Sequence, residues 1–372
     1  MGNERALQRV RLRGILALLI ACGFRPGEWQ TARSAAGETR PTANRPTPAA
    51  SAQGPGTTLG IQGTAFTLNG KPTFLYGLSY YGGLGASEAT WKADLDRMPQ
   101  NGFNWLRVWA TWSAFGSDVS AVDSEGHPRE PYLSRLKALV SECDRRGLIV
   151  DVTLTRGAGT TAQSGLPSFP AHQRAVETLL AALKPWRNWY LDLSNERNIG
   201  DKRHTSIADL ARLRQAVKRL APERLVTASH GGDMTREDVR AYLLDAGLDF
   251  LCPHRPRDPD SPGQTEAKTR ELRRWVRELG RAVPIHYQEP FRRGYGVWQP
   301  RAEDFAADLQ GAQSGGAAGW CFHNGATRSA QDGRPRRSFD LRDGPLFAQL
   351  DTEERRFVQE ARPGSPKEKQ NR

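Results

Sequence analysis

The sequence predicts a (β/α)8 barrel, the TIM barrel, preceded by a small hairpin. Eight short apolar runs with the period of buried strands each lead into a stretch with helical periodicity. Eight such units are also the number that closes a parallel sheet into a barrel. A doubly wound open sheet is the competing fold. Because no glycine-rich phosphate loop follows the first run, we favour the barrel.

Composition divides the 372 residues into four segments. Residues 1–21 hold four arginines and then a short apolar run, which is too short to span a bilayer and is typical of a secretory signal peptide. Residues 22–60 are rich in Ala, Thr, Pro, Ser and Gly and predict a disordered tether. Residues 61–362 hold the predicted barrel, and residues 363–372 form a predicted disordered tail.

The signal segment ends in the letters L-I-A-C, which resemble a bacterial lipobox. The resemblance implies that Cys22 becomes the lipid-modified first residue of a protein exported to the cell envelope. Ordinary signal cleavage with an incidental cysteine, and therefore secretion, is the alternative. We predict membrane contact only through an N-terminal lipid anchor, and we predict a monomer.

Charge and cysteine usage exclude several classes of protein. The net charge is +12, but the basic residues are scattered among acidic ones and form no single stripe, so we read them as solvated surface and predict no nucleic-acid partner. Cys143 falls in a helical stretch, and Cys252 and Cys321 fall in apolar runs. We expect three buried free thiols, with neither a disulfide framework nor a metal site, and no cofactor.

The individual elements follow in order. Residues 64–68 and the turn N-G-K-P at 69–72 predict the hairpin. The predicted strands are residues 74–79, 103–109, 148–154, 189–194, 225–228, 250–254, 283–287 and 317–322. Helical patterns fill the intervals, for example at 132–140 and 272–279. Gly102, Gly147 and Gly280 come just before three of the strands, where the end of a helix favours glycine.

Functional groups of such a barrel gather at the C-terminal ends of its strands. The fourth strand ends in Asn195 and Glu196, and the seventh ends in Glu289. The other strand ends supply Tyr80, Tyr81, Arg107, Trp109, Trp112, Thr155, Arg156, Ser229, His230, His254, Tyr287, Trp320, His323 and Asn324. Aromatic faces stack on sugar rings and polar groups bind hydroxyls. Two carboxyl groups that flank one bond are what glycoside hydrolysis needs.

These residues carry a family resemblance. The turn at 69–72, the motif Asn104-x-x-Arg107, the Asn195-Glu196 pair, Glu289 and Trp320 together resemble retaining glycoside hydrolases of clan A. The most similar group is that of the family 5 cellulases and mannanases, and the resemblance covers about residues 62–361. It implies cleavage of O-glycosidic bonds in a β-linked polysaccharide or oligosaccharide.

The resemblance also implies a role for each residue. Glu196 matches the acid/base and Glu289 the nucleophile of a double displacement. Asn195 matches the amide that binds the sugar 2-hydroxyl, and Arg107 the arginine that steadies the nucleophile. Trp320 matches the platform under the sugar. We expect the carboxyl groups to lie about 5 to 5.5 Å apart, with a raised pKa at Glu196 and an ionised Glu289.

The sequence departs from the family pattern on the sixth strand. His254 is followed by Arg255 and Pro256, where the family shows His-x-Tyr, so the tyrosine that contacts the nucleophile is missing. Tyr287, two residues before Glu289, is the expected substitute, and we expect His254 to bind substrate. In the loop after the seventh strand, Trp298 is a second predicted sugar platform.

Two other function classes stay open. A barrel that has kept its sugar cleft but lost turnover would be a carbohydrate-binding protein, and the missing tyrosine favours it. A metal-dependent barrel hydrolase would need His254 and His286 as ligands. Strand alternation turns His286 away from Glu289, and no His-x-His ends the first strand, so we predict no metal.

Overall fold

A computed structural model describes residues 56–114, 117–157, 165–294, 296–323 and 339–361 of the chain. It opens with a small antiparallel sheet of β1 (Leu59–Gln62), β2 (Ala65–Leu68) and β3 (Lys71–Thr73). Asn69 and Gly70 have φ angles of 50° and 78°, as a two-residue hairpin turn requires. The hairpin is confirmed, and β1 adds a strand that begins before residue 61.

The barrel strands follow in the predicted order. They are β4 (Leu75–Ser79), β5 (Trp105–Trp109), β8 (Ile149–Thr153), β9 (Trp189–Asp192), β10 (Val226–Thr227) continued by β11 (Ser229–Gly231), β12 (Cys252–His254), β13 (His286–Tyr287) and β14 (Gly319–Phe322). Two short strands, β6 (Ser113–Ala114) and β7 (Ser117–Asp118), form a hairpin in the loop after β5.

Parallel pairing closes these strands into a barrel. Seven of them form one sheet in the order β10-β9-β8-β5-β4-β14-β13. The fifth strand position is split, because β10 pairs with β9 whereas β11 pairs with β12. A parallel bridge between Leu251 and Ile285 then joins the sixth position to the seventh. The predicted (β/α)8 fold is confirmed.

Each strand position leads into a helix on the outside. The helices are α1 (Glu88–Gln100), α2 (Tyr132–Arg145), α3 (Phe169–Ala182), α4 (Ile207–Leu220), α5 (Arg236–Arg240) with a following π turn, α6 (Ser261–Glu278), α7 (Ala302–Gly315), α8 (Leu346–Gln349) and α9 (Thr352–Glu360). In α2 the residues at helical spacing, Leu133, Leu136 and Val140, are among the buried ones. Among the helices described, none is both long enough and apolar enough to cross a membrane.

The core has two layers that set where the chemistry can lie. The outer layer fills the space between strands and helices. The inner layer fills the interior of the barrel at the N-terminal ends of the strands, with Leu75, Trp105, Ile149 and Phe250. Phe66 of β2 packs edge-on against Phe250 at a centroid distance of 5.0 Å, so the small sheet covers the N-terminal end. Cys143, Cys252 and Cys321 are buried with free thiols, as predicted.

Candidate active site

Arg107 is the centre of the site. It lies on β5, one inward position above Trp105, and its side chain is fully buried. Its partners are Glu289 Oε1 at 2.5 Å, Asp192 Oδ2 and Asn195 Oδ1 at 2.8 Å each, Thr153 Oγ1 at 2.9 Å and Asp151 Oδ2 at 3.3 Å. Burial alone would lower the pKa of Arg107, but the carboxylates around it raise that pKa above its ordinary value. Arg107 is therefore a permanent buried cation.

The backbone around Glu196 is fixed by its neighbours. Asn195 N–H donates to Leu154 O at 2.8 Å, and Glu196 N–H donates to Ser229 Oγ at 3.0 Å. Between these anchors Glu196 adopts φ = 45°, a left-handed conformation that a residue with a Cβ rarely occupies. Such strain costs on the order of 1–3 kcal/mol and concentrates at functional positions.

The two predicted catalytic carboxylates meet at the C-terminal mouth of the barrel. Glu196, Glu289 and His254 each place a ligand atom within 4.8 Å of those of the other two. His254 Nδ1 lies 3.3 Å from Glu196 Oε1 and 3.7 Å from Glu289 Oε2. His254, predicted to bind substrate, therefore stands between the two glutamates.

Glu289 is held ionised. Arg107 and Arg257 each donate to one of its oxygens, at 2.5 and 2.8 Å, and His323 Nε2 lies 3.5 Å away. Burial raises the pKa of Glu289, but its interactions with His254, His323 and Arg107 outweigh burial and lower the pKa to about 2. The expectation that Arg107 keeps Glu289 ionised agrees with this arrangement.

Glu196 differs from the expectation. We expected surroundings of low polarity to raise its pKa. Burial does act in that direction, but the hydrogen bond and charge of His254 and the charges of Arg257 and Arg203 outweigh burial and lower the pKa of Glu196 below its ordinary value. Arg203 Nη1 donates to Oε2 of Glu196, and Arg257 Nη2 lies 3.6 Å from Oε1. In this arrangement both glutamates are anions.

Comparisons with solved structures agree with the fold. The endo-1,4-beta-mannanase from Rhizomucor miehei matches with a TM-score of 0.55 at 15% identity, over 71% of this chain and 89% of that one. A glycoside hydrolase family 5 mannosidase from the same organism matches with a TM-score of 0.53 at 15% identity, over 78% and 92%. The endo-1,4-beta-D-mannanase from Thermotoga petrophila matches with a TM-score of 0.52 at 14% identity, over 77% and 98%.

The chain has the barrel fold of the family 5 glycoside hydrolases. At this level of identity the likeness concerns the fold alone. No protein-family model matches the sequence, and no curated protein sequence matches it.

For two residues that were predicted to bind substrate, the structure differs from the prediction. Trp320 is fully buried on the outer face of β14, where its Nε1 donates to Asp308 of α7 at 2.6 Å. Tyr287 is also fully buried, and its hydroxyl lies 2.7 Å from Thr269 Oγ1 of α6. The predictions that Trp320 is a sugar platform and that Tyr287 contacts the nucleophile are wrong.

The cause of both errors is the direction in which the side chains point. On β14 the inward positions are those of Gly319, where an added Cβ would come within 2.0 Å of a ring atom of His286, and of Cys321 in the inner core. Trp320, between them, must point outward. β13 ends at Tyr287, so the alternation used to place Tyr287 beside Glu289 does not continue to Glu289.

A separate aromatic group stands at the mouth. Tyr81 stacks on Trp109 at a centroid distance of 4.1 Å, and Trp112 packs against both. The indole N–H groups of Trp109 and Trp112 are buried and have no hydrogen-bond partner among the residues that the structure describes. Burial raises the pKa of the Tyr81 hydroxyl, and the negative charge of Glu289 raises it further. Tyr81 and Trp109 are themselves buried, whereas Trp112 is partly exposed.

Four further predicted residues have different outcomes. Asn195 is in place, because its Oδ1 accepts from Arg107 beside both glutamates. Trp298 is half-buried and packs edge-on against Phe291 at 4.8 Å, and its role as a platform stays a prediction. Cys22 and Asn324 lie outside the residues that the structure describes.

Sequence reasoning missed two arginines. Arg203 lies in the loop between β9 and α4, and Arg257 in the loop between β12 and α6. Both contact Glu196, and Arg257 contacts Glu289 as well. The loops after the strands form the mouth of a barrel, so charged residues in those loops were a usable signal.

The charges also bear on metal binding. Glu196, His254 and Glu289 together have the donor types of a small metal site. However, Arg107, Arg203 and Arg257 already bind the oxygens that a cation would need, and their own charge repels one. His286, the other ligand of the metal-dependent alternative, packs against Trp105 at a centroid distance of 4.6 Å inside the barrel. The residues present do not fit a metal centre.

Proposed function

We propose that the protein is a retaining O-glycosyl hydrolase that cleaves a β-linked polysaccharide or oligosaccharide. The observation that carries the proposal is the pair Glu196 and Glu289, whose closest oxygens lie within 4.8 Å at the mouth of a family 5-like barrel. Retaining enzymes use carboxyl groups about 5–5.5 Å apart, whereas inverting enzymes need about 6.5–9.5 Å to admit a water.

The roles are those that the resemblance to family 5 implies. Glu289, ionised between Arg107 and Arg257, attacks the anomeric carbon and forms the glycosyl ester. The bond to the leaving oxygen breaks, and Glu196 gives that oxygen its proton. A water then attacks the anomeric carbon, gives its proton to Glu196 and releases Glu289. Asn195, held by Arg107, is placed to bind the sugar 2-hydroxyl.

Glu196 must be protonated before it can act as the acid. In the free protein His254, Arg203 and Arg257 stabilise its anion. Substrate that moves Arg257 away from Glu196 and excludes water removes part of that stabilisation, so the pKa of Glu196 rises in the complex. We therefore expect an acidic optimum for kcat/KM, because the free protein has to take up this proton.

A carbohydrate-binding protein without turnover is the second candidate. The observation that favours it is the ion pairing of Glu196 with Arg203 and Arg257, which opposes its action as an acid. The absence of the family's tyrosine two residues after His254 also favours it.

The deciding experiment is a hydrolysis screen of the purified barrel domain. Aryl β-glycosides, mannan and β-glucan are tested with the wild type and with Glu289→Gln, and NMR reads the anomer that is released first. Hydrolysis with retention, and a loss on the order of 10⁴-fold or more in Glu289→Gln, is the expected result. Binding of these sugars without hydrolysis by the wild type would favour the second candidate.

We further propose that Cys22 anchors the exported protein to the cell envelope through lipid. The support is the apolar run that ends at Cys22 and the polar segment behind it. Two or more acyl chains suffice for stable attachment, whereas one binds only marginally. Cys22→Ser should move the protein from the membrane fraction to the soluble one, and unchanged fractionation would contradict the proposal.

A further inference from the structure

Arg257 occupies the space in which the reaction has to take place. Its Nη2 lies 2.8 Å from Glu289 Oε2 and 3.6 Å from Glu196 Oε1, so one guanidinium nitrogen contacts both carboxylates. In a two-carboxylate glycosidase the bond to be cleaved lies between those same groups. A sugar can therefore enter only if Arg257 leaves this position.

Arg257 belongs to a ring of arginines from three loops of the mouth. Arg203, from the loop after β9, pairs with Glu196 and with Asp201. Arg292, from the loop after β13, places Nη1 3.3 Å from His323 Nε2. The side chains of Arg203 and Arg257 remain 20% and 22% exposed, so both can turn toward a ligand in the cleft.

The chemistry of the entering sugar decides how unfavourable this displacement is. A neutral sugar would separate Arg257 from two largely buried carboxylates and provide only hydroxyl groups in exchange, which leaves a charge poorly compensated. A sugar with an anionic substituent provides a new partner for Arg257, because two oxygens of that substituent can accept two parallel N–H···O hydrogen bonds from the guanidinium group. Protonation of Glu196 adds to the imbalance, because it leaves Arg203 and Arg257 with one carboxylate fewer.

We propose that the substrate carries an anionic substituent, a carboxylate or a sulfate ester, on the sugar that binds between Glu196 and Glu289, and that Arg257 and Arg203 bind this group. The proposal rests on the proposed hydrolase function and specifies its substrate class. It also gives Arg257 two positions. In the free protein it lies on the catalytic carboxylates, and in the complex it lies on the substrate.

The test measures binding, so that it does not depend on turnover. The probes are methyl β-D-glucuronide, methyl β-D-glucoside 6-sulfate and the neutral methyl β-D-glucoside, titrated into the full barrel domain by calorimetry at low salt. At least one anionic probe should bind about tenfold or more tightly than the neutral one, as expected for a charge-assisted bidentate contact. The carboxylate and sulfate probes distinguish the two substituents.

Three variants assign the effect. Arg257→Gln should remove the preference for the anionic probe. Arg257→Lys keeps the charge without the fork and should retain an intermediate preference, which preserves the test if Arg257→Gln fails to fold. Arg277→Gln, at the exposed far end of α6, makes the same change in net charge away from the mouth and should keep the full preference.

The outcomes separate the two proposals. Equal or tighter binding of the neutral probe by the wild type, or an anionic preference that persists in Arg257→Gln, would overturn the proposal on the substrate class. Hydrolysis of neutral glycosides without any anionic preference would overturn it alone and leave the hydrolase function standing. An anionic preference without hydrolysis of any glycoside would overturn the hydrolase function alone.

Discussion

Two buried carboxylates on the same arginine behave in opposite ways. Asp151 lies inside the barrel, 3.3 Å from Arg107 Nε, and we call the buried region around it the floor. Glu289 lies at the mouth, 2.5 Å from Arg107 Nη1. Burial, helped by the charge of Asp192 and opposed by Arg107, raises the pKa of Asp151 to about 8. The pKa of Glu289 is lowered to about 2.

The difference lies in the number of cations and not in burial. On the floor, Asp151 shares Arg107 with Asp192 and otherwise accepts hydrogen bonds from neutral groups, Tyr190 at 3.0 Å and Gln288 at 2.6 Å. At the mouth, loops add Arg257 and Arg203 around the glutamates. Because three buried acids share one arginine, that arginine stabilises each anion less, and the pKa rises at Asp151, which has the fewest cations, while it is lowered at the glutamates of the mouth.

Removal of Arg107 should disturb both regions and have the largest effect. Arg107→Gln leaves Asp151, Asp192 and Glu289 without their shared cation, and we expect the free energy of unfolding to fall by about 3–5 kcal/mol. Urea unfolding at pH 7 measures the change, with Arg277→Gln as the control for net charge. Equal stability of the two variants would show that the floor does not depend on Arg107.

Substitution of two tryptophans tests which of them stabilises the core and which lies at the mouth. Trp320→Ala removes a fully buried ring and its hydrogen bond to Asp308, and should cost about 3–5 kcal/mol of stability. Trp298→Ala removes a half-buried ring from a mouth loop and should cost clearly less. Thermal and urea unfolding of both variants decides the order. A reversal of this order would restore Trp320 as a candidate for the cleft.

A substitution at Glu196 tests the catalytic role of the mouth. Glu196→Ala removes the acid and the base, and should lower kcat/KM by about 10²-fold or more for substrates with poor leaving groups. Aryl glycosides with good leaving groups need no acid, and azide can replace the activated water, so added azide should restore their turnover. Failure of azide to restore any activity, in a folded variant, would argue against Glu196 as the base.

A substitution at Asp151 tests the floor through the pH dependence of protein stability. Between pH 3.8 and about 8 the folded protein retains a proton that the unfolded chain releases, so Asp151 makes the wild type less stable as pH rises through this range. Asp151→Asn lacks this titration. Its stability relative to the wild type should therefore increase by about 1 kcal/mol or more between pH 5 and 8. A difference that is independent of pH would mean that Asp151 is ionised throughout.

The sequence was sufficient for the fold because the eight apolar runs have the strand period and spacing that a barrel requires. It also located Arg107, Asn195, Glu196, His254 and Glu289, since each stands on a strand or directly after one. The structure brings all five together at the mouth.

The errors have equally physical causes. The resemblance assigned Trp320 by residue type, but the pleat of β14 turns it toward α7. Arg203 and Arg257 lie in loops, whose path does not follow from periodicity, and their charges add to the larger effect of His254 in reversing the expected pKa shift of Glu196. Periodicity predicts which residues lie on a strand, whereas the charge of the site depends on loops that periodicity does not describe.

The most direct test of the account is the identity of the residue that bonds to the sugar. A 2-deoxy-2-fluoro glycoside with a good leaving group, matched to a sugar that the protein hydrolyses, slows breakdown of the glycosyl-enzyme so that mass spectrometry of peptides can locate the adduct. We predict one adduct per molecule, on Glu289, and none in Glu289→Gln. An adduct on another residue, or inversion at the anomeric carbon with no adduct, would contradict it.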